Sequence, residues 1–194
     1  MRVHVIHAHP VETSFNRALF NTTLESLEQA GHAVDPLNLY EQDFPAVLTR
    51  EERLGYHDIP ENLTPLTKPY VERLRAADAL VFVHPVWNYG YPAILKGYFD
   101  RVWLPGVTFK MDDGILTPSL NHIRKVGAVL TYGAMRHRAW ILGDPPRRIV
   151  KRVIRGQIRP LAPVMFMAHY DMNRSTDETR GRFLEKVGTA MARF

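Results

Sequence analysis

Cysteine is absent from this 194-residue chain. That absence removes disulfides, thiolate nucleophiles, iron–sulfur clusters and thiolate zinc sites together. No apolar run reaches the ~18 residues a bilayer crossing needs, so no transmembrane helix is expected. Neither a Gly-x-Gly-x-x-Gly fingerprint nor a Walker pattern occurs, which leaves out the two best-known glycine-rich phosphate loops. No acidic pair follows the first apolar run, which argues against a receiver-type response regulator. Internal repeats, linkers and low-complexity tracts are lacking too, so a single domain over residues 1–194 is expected. Met1-Arg2 leads straight into the apolar Val3-His-Val-Ile6 without a signal-peptide pattern, and the cytoplasm is the expected compartment.

What is present is a globular composition, with 45% hydrophobic and 23% charged residues, so a packed core is expected. The formal charge is +5, and much of the excess lies between Arg136 and Arg159. On a helix from about Pro146 to Gln157, Arg148, Arg152 and Arg155 share one face, opposite Ile149 and Val153. Such a run serves as a solvated face or as a cationic funnel for the phosphates of a dinucleotide. Nucleic acid is the least favoured partner, because no recognised binding module accompanies the charge. A net positive charge also argues against an acidic electron carrier of the flavodoxin type.

Apolar runs and helical periodicities alternate along the chain. Strands are expected at Arg2–His7, His32–Leu37, Ala79–His84, Lys125–Tyr132 and Val164–His169. Helices are expected at Ser14–Ala30, Tyr70–Ala77, Ala93–Leu104, Arg147–Gln157 and Thr176–Arg193. The stretch 40–69 reads as a loop with a short helix from Thr49 to Tyr56, and 113–121 as another loop. Five strands joined by crossover helices predict a doubly wound parallel α/β sheet in the order 2-1-3-4-5.

Two turns at the carboxyl ends of strands carry candidate chemistry. After the first strand, Thr13, Ser14 and Asn16 place hydroxyl and amide groups where a helix begins, and orphan backbone N–H groups there favour a phosphate. His9 adds a further donor; simple N-capping by Thr13 or Ser14 is the plainer reading and is compatible with the first. After the third strand, Pro85-Val86-Trp87-Asn88-Tyr89-Gly90 forms a proline-bracketed aromatic loop. Trp87 and Tyr89 offer flat faces, Asn88 offers donor and acceptor, and Gly90 offers close backbone approach, which together suit an isoalloxazine ring. The same residues would equally serve a strand-to-helix turn whose aromatics pack into the core. His4, His7 and His9 raise a metal, but strand alternation separates His4 from the other two and no matched carboxylate follows, so none is expected.

These stretches carry a resemblance. His7-Ala8-His9-Pro10 with Thr13-Ser14-Phe15-Asn16-Arg17-Ala18, the run Pro92-Ala-Ile-Leu-Lys-Gly-Tyr-Phe-Asp-Arg101-Val102, Val129-Leu-Thr131-Tyr132-Gly133-Ala134, and Arg180 to Leu184 together resemble the flavodoxin-like NAD(P)H:quinone oxidoreductases of the DT-diaphorase family, in its small bacterial branch. Val86-Trp87-Asn88-Tyr89 and Gly106-Val-Thr-Phe109 look more like the FMN azoreductases. The resemblance implies a flavin, FAD from the Ser14-Phe15-Asn16 run with FMN as the alternative, and NAD(P)H as electron donor. It implies cofactor-binding roles for His9, Thr13, Ser14, Phe15, Asn16, Pro85, Val86, Trp87, Asn88, Tyr89, Thr131, Tyr132, Gly133, Ala134 and Arg180. Backbone N–H groups from Thr131 to Ala134 would face the pyrimidine end of the ring, with Gly133 supplying backbone freedom. For Tyr132, ordinary aromatic packing is the plainer reading.

The implied reaction is a ping-pong hydride transfer from NAD(P)H through flavin N5 to a quinone-like acceptor, with no membrane insertion and no nucleic acid involved. No catalytic side chain is assigned, because the family's tyrosine and histidine near the ring have no clean match; His137 and Trp140 occupy that region. A homodimer is implied, with Tyr56, Trp103, Leu104 and Phe109 as candidate anchors. The alternatives are an azo or nitro reductase, a regulatory flavoprotein subunit on a transporter, and a flavin-free structural protein.

Overall fold

The computed structural model describes residues 1–194, the Asp112 side chain excepted. Period-2 apolar runs form strands β1 (Arg2–His7), β2 (Ala33–Asn38), β3 (Ala79–Val86), β6 (Lys125–Tyr132) and β7 (Val164–His169). They pair, all parallel, in the order β2-β1-β3-β6-β7. Counting only these five, the order is the expected 2-1-3-4-5, the doubly wound flavodoxin-like arrangement. Successive residues face opposite sides. Val3, Val5, Val81 and Val83 pack with Leu19, Leu27, Val187 and Met191 of helices α1 (Phe15–Gln29) and α8 (Asp177–Met191). Ile6, Leu80, Phe82 and Leu130 pack on the other side, with Val71 and Leu74 of α3 (Lys68–Ala76) and with Leu95, Tyr98 and Val102 of α4 (Ala93–Val102).

Two elements differ from the expectation drawn from sequence, and the short helix near residue 50 forms as expected. The expected loop 113–121 begins inside a hairpin, β4 (Phe109–Asp112) antiparallel to β5 (Ile115–Pro118). Asp113 and Gly114 turn it with φ of 48° and 78°, the left-handed pair that a two-residue hairpin requires and that an Asp-Gly dipeptide favours. Within 40–69, the short helix is α2 (Arg50–Leu54), opened by a capping box between Thr49 and Glu52. The expected helix 147–157 starts earlier and is not uniformly α. A separate helix, α5 (Arg136–Ile141), precedes α6 (Pro145–Arg148), a π-helical stretch Ile149–Ile154 and α7 (Arg155–Gln157). Val150 and Ile154 are buried while Val153, placed opposite the basic residues, is 53% exposed; at about 100° per residue Val150 lies nearer the point opposite Arg148 than Ile149 does.

His4 and His7 leave β1 on opposite faces. His4 lies 3.1 Å from the Asp35 carboxylate, which Arg73 of α3 also engages. Burial alone would raise that carboxyl, but the hydrogen bonds from His4 and Arg73 outweigh it and hold Asp35 well below the usual range. Among the described residues no group of three His, Asp or Glu side chains is placed to hold a metal ion, and no helix is long and apolar enough to cross a membrane.

Candidate functional site

The carboxyl ends of β1, β3 and β6 open on one edge of the sheet, where doubly wound folds place ligands. Ser14 caps α1 by accepting the Arg17 amide at 3.1 Å, and the first turn carries no acidic residue. That leaves the foremost amides of α1 at a positively polarised helix end without a competing carboxylate. His9 accepts the Val11 amide on Nδ1 at 3.1 Å, so a neutral ring carries its proton on Nε2 as a free donor. Burial lowers the His9 pKa, which favours that neutral ring.

Asn16 ties the strand ends together. It is buried, donates from Nδ2 to Thr131 Oγ1 of β6 at 3.3 Å, and keeps its Oδ1 buried without a partner. Phe15, beside it, meets His169 at the end of β7 edge-on, with ring centroids 5.5 Å apart.

The loop after β3 forms a tight turn closed by the Gly90 amide on the Trp87 carbonyl at 2.9 Å. Asn88 and Tyr89 hold φ of 49° and 56°. Gly90 is not among the residues at positive φ, and a Cβ there would meet only ordinary contacts. An aromatic residue at positive φ costs of order 1–3 kcal/mol, a strain typical of ligand-holding loops. Trp87 is 43% exposed and faces His9 with ring centroids 5.9 Å apart, so the two rings wall one mouth. Pro85 is buried, and its carbonyl accepts from His84 Nδ1 at 2.8 Å; Val86 is half-buried beside Tyr132 in the ladder.

At the end of β6, Thr131 and Tyr132 are buried, Gly133 is exposed and Ala134 half-buried. Gly133 is not in the left-handed region either, and Asn173 lies at ordinary contact distance from where its Cβ would sit. The Tyr132 ring belongs to the core. Its hydroxyl donates to Asp144 Oδ1 at 2.6 Å, and burial followed by that carboxylate raises its pKa strongly. Only its backbone faces the site edge.

Thr13 is exposed in the phosphate-side turn. Arg180 is half-buried at the start of α8, where Ser175 and Asp177 engage its guanidinium, so it turns toward its own helix start rather than into the mouth. Sequence reasoning missed Asp144, which also accepts from Tyr170 at 3.4 Å. The Gly143-Asp144-Pro145-Pro146 run is a turn signal, but nothing local tells that its carboxylate points inward.

Of the expected interface anchors, Tyr56, Trp103 and Phe109 line an apolar groove of 540 Å³ beyond α4, together with Tyr91, Phe99 and Val153. Leu104 is buried inside the chain.

A family model described as a flavodoxin-like fold matches residues 1–148. A protein of Escherichia coli, named an uncharacterized NAD(P)H oxidoreductase (YcaK), is 31% identical over 128 residues, covering 66% of this chain and 64% of that protein. A Halalkalibacterium halodurans protein named FMN-dependent NADH:quinone oxidoreductase 3 is 30% identical over 156 residues, covering 68% of this chain and 72% of that one. A solved NAD(P)H:quinone oxidoreductase from Methanothermobacter marburgensis superposes with a TM-score of 0.81 at 25% identity, over 99% of this chain and 96% of that one. The chain spans less than two thirds of several other curated relatives, the E. coli protein among them.

Proposed function

Because the chain belongs to the family with the flavodoxin-like fold, we propose that it is a flavin-dependent NAD(P)H:quinone oxidoreductase, one unit over residues 1–194. One observation supports this most: the carboxyl ends of three adjacent parallel strands carry a helix start free of acid, the buried Asn16 Oδ1 and an exposed Trp87 facing His9. A flavin fits that donor set. Its phosphate suits the α1 amides with Thr13, Ser14 and His9 Nε2; its planar ring suits the Trp87 face and the polar backbone of residues 85–89 and 131–134. When bound, it supplies a two-electron relay between nicotinamide and quinone. The protein's part is to bind, orient and shield the reacting edge. No side chain needs to act as nucleophile. FAD is the reading from the Ser14-Phe15-Asn16 run, while the name of the H. halodurans relative favours FMN.

The purified protein is therefore expected to absorb at about 450 nm, as flavins do, and to bleach on adding NAD(P)H without oxygen. Menadione restores the band, and flavin released by heat names FAD or FMN. A preparation that stays colourless with both flavins overturns the proposal. Asn16→Ala is expected to weaken flavin binding about tenfold, the worth of one hydrogen bond to a site group. Unchanged flavin affinity removes Asn16 from the site.

A homodimer belongs to the same reading, as the family resemblance implies. The surface carries this apolar groove beyond α4 and further exposed apolar groups, Leu54, Ile115 and Leu116. A second copy would cover them. Sedimentation at micromolar concentration is expected to give a dimer, and a monomer there counts against this part of the proposal.

A further inference from the structure

Beyond β6 and β7 the chain builds a second concavity that the proposed flavin site does not use. Helix α5 ends at a turn where Gly143 and Asp144 hold φ of 81° and 45°, and α6 follows directly. Two adjoining cavities of 380 and 560 Å³ lie at this turn and share Trp140, Asp144 and Arg147. Arg136 stands on one side, and Arg148, Lys151 and Arg152 stand on the other.

The charge there is one-sided. None of those five cations pairs with a carboxylate among the described residues. The one acid in the cleft, Asp144, is 7% exposed and already accepts from the Tyr132 and Tyr170 hydroxyls. Five like charges around a cavity repel one another unless an anion joins them. Gly143 lets the Arg148 guanidinium fold close over the turn, 3.3 Å from where a Cβ would sit. In the middle stands Trp140, 75% exposed. An indole left in water among guanidinium groups contributes little to a core, but it is a platform for a flat heterocycle.

An aromatic ring and a doubly charged phosphate on one ligand describe the adenosine 2′-phosphate end of NADPH. NADH differs from NADPH by lacking that one phosphate, which carries about −1.5 to −2 charge near pH 7. We propose that this cleft holds the adenosine 2′-phosphate of NADPH, with adenine against Trp140 and the phosphate between Arg148 and Arg152, and so selects NADPH over NADH. This rests on NAD(P)H being the electron donor. The Tyr132 hydroxyl, at the strand end assigned to the flavin site, donates to Asp144 of the cleft at 2.6 Å and joins the two sites. Guanidinium pairs suit a phosphomonoester because two parallel N–H groups meet two of its oxygens.

The test titrates the purified protein with adenosine 2′,5′-bisphosphate and with ADP, following tryptophan emission and heat. The bisphosphate is expected to bind at least about tenfold more tightly than ADP. The Arg148→Gln/Arg152→Gln double variant, changed only at exposed positions, is expected to lose that discrimination. Trp140→Leu is expected to weaken both nucleotides alike. The kcat/KM ratio of NADPH to NADH is expected to fall toward one in the double variant. Equal affinity for the two nucleotides, or a preference that survives the double variant, overturns the proposal. So does displacement of the bisphosphate by an oligonucleotide at lower concentration, which would make the cleft a polyanion site. If neither coenzyme reduces the protein while the bisphosphate still binds through Arg148 and Arg152, the cleft assignment stands and the donor reading falls.

Discussion

Gly97→Ala is expected to destabilise the protein by about 3 kcal/mol or more, a large loss for one methyl group. A Cβ at Gly97 would sit 2.1 Å from the Ala46 carbonyl oxygen and 2.5 Å from the Ala46 Cα. Both are backbone atoms, so no rotamer change relieves the overlap. The segment cannot easily retreat, because one turn further along α4 the buried Arg101 guanidinium donates to the Pro45 carbonyl and to Glu52 Oε1 at 2.6 Å. Separating α4 from residues 45–52 would strand that buried ion pair. Gly181→Ala is the matched control, a mid-helix glycine in α8 with nothing within 4 Å of the added carbon. There the substitution is expected to stabilise by about 0.5–1 kcal/mol, because alanine loses less backbone freedom in a helix. Urea midpoints moving in opposite directions meet this expectation; a Gly97→Ala protein as stable as the parent refutes the close packing.

Acid is expected to weaken the fold between pH 7 and pH 5 by about 2 kcal/mol for each of two histidines. Burial is the main reason that both His7 and His84 stay neutral down to a pKa of about 4, with the Arg17 charge adding to it at His7. In the unfolded chain both return to about 6.5. Between those values the unfolded state binds more protons, so stability is complete above about pH 6.5 and is lost as pH falls toward 4. Asp35, held well below the usual carboxylate range, titrates beneath this window and does not contribute to it. His84→Gln removes one of the two protons while keeping a polar side chain in contact with Tyr91. The drop in unfolding free energy from pH 7 to pH 5 is expected to shrink by about 2 kcal/mol in that variant. An unchanged drop would assign the acid sensitivity elsewhere.

The alternation of short apolar runs and helical periodicities was enough to place five strands and their order, because those signals reside in neighbouring residues. The phosphate-side turn was legible for the same reason: Ser14 caps the helix that begins one residue later. The Asp113-Gly114 pair carried a hairpin signal that a loop assignment passed over, and its left-handed φ values are local chemistry. The phase of the basic helix was legible, since at about 100° per residue Val150 rather than Ile149 lies opposite Arg148, and Val150 and Ile154 are buried; the π-helical stretch Ile149–Ile154 has no local sequence signal. Residues distant in sequence decided the remainder. Asn16 meets Thr131 across 115 positions, Asp144 meets Tyr170 across 26, and Gly97 lies against Ala46. What the amino-acid sequence alone determined is the layered α/β fold and the residue types at its strand ends, because period and turn chemistry are properties of adjacent residues. Only the tertiary structure decided which buried polar atoms stay unpartnered, that Tyr132 serves the core, and that five cations and Trp140 share one cleft, because burial and charge compensation depend on partners that folding brings together.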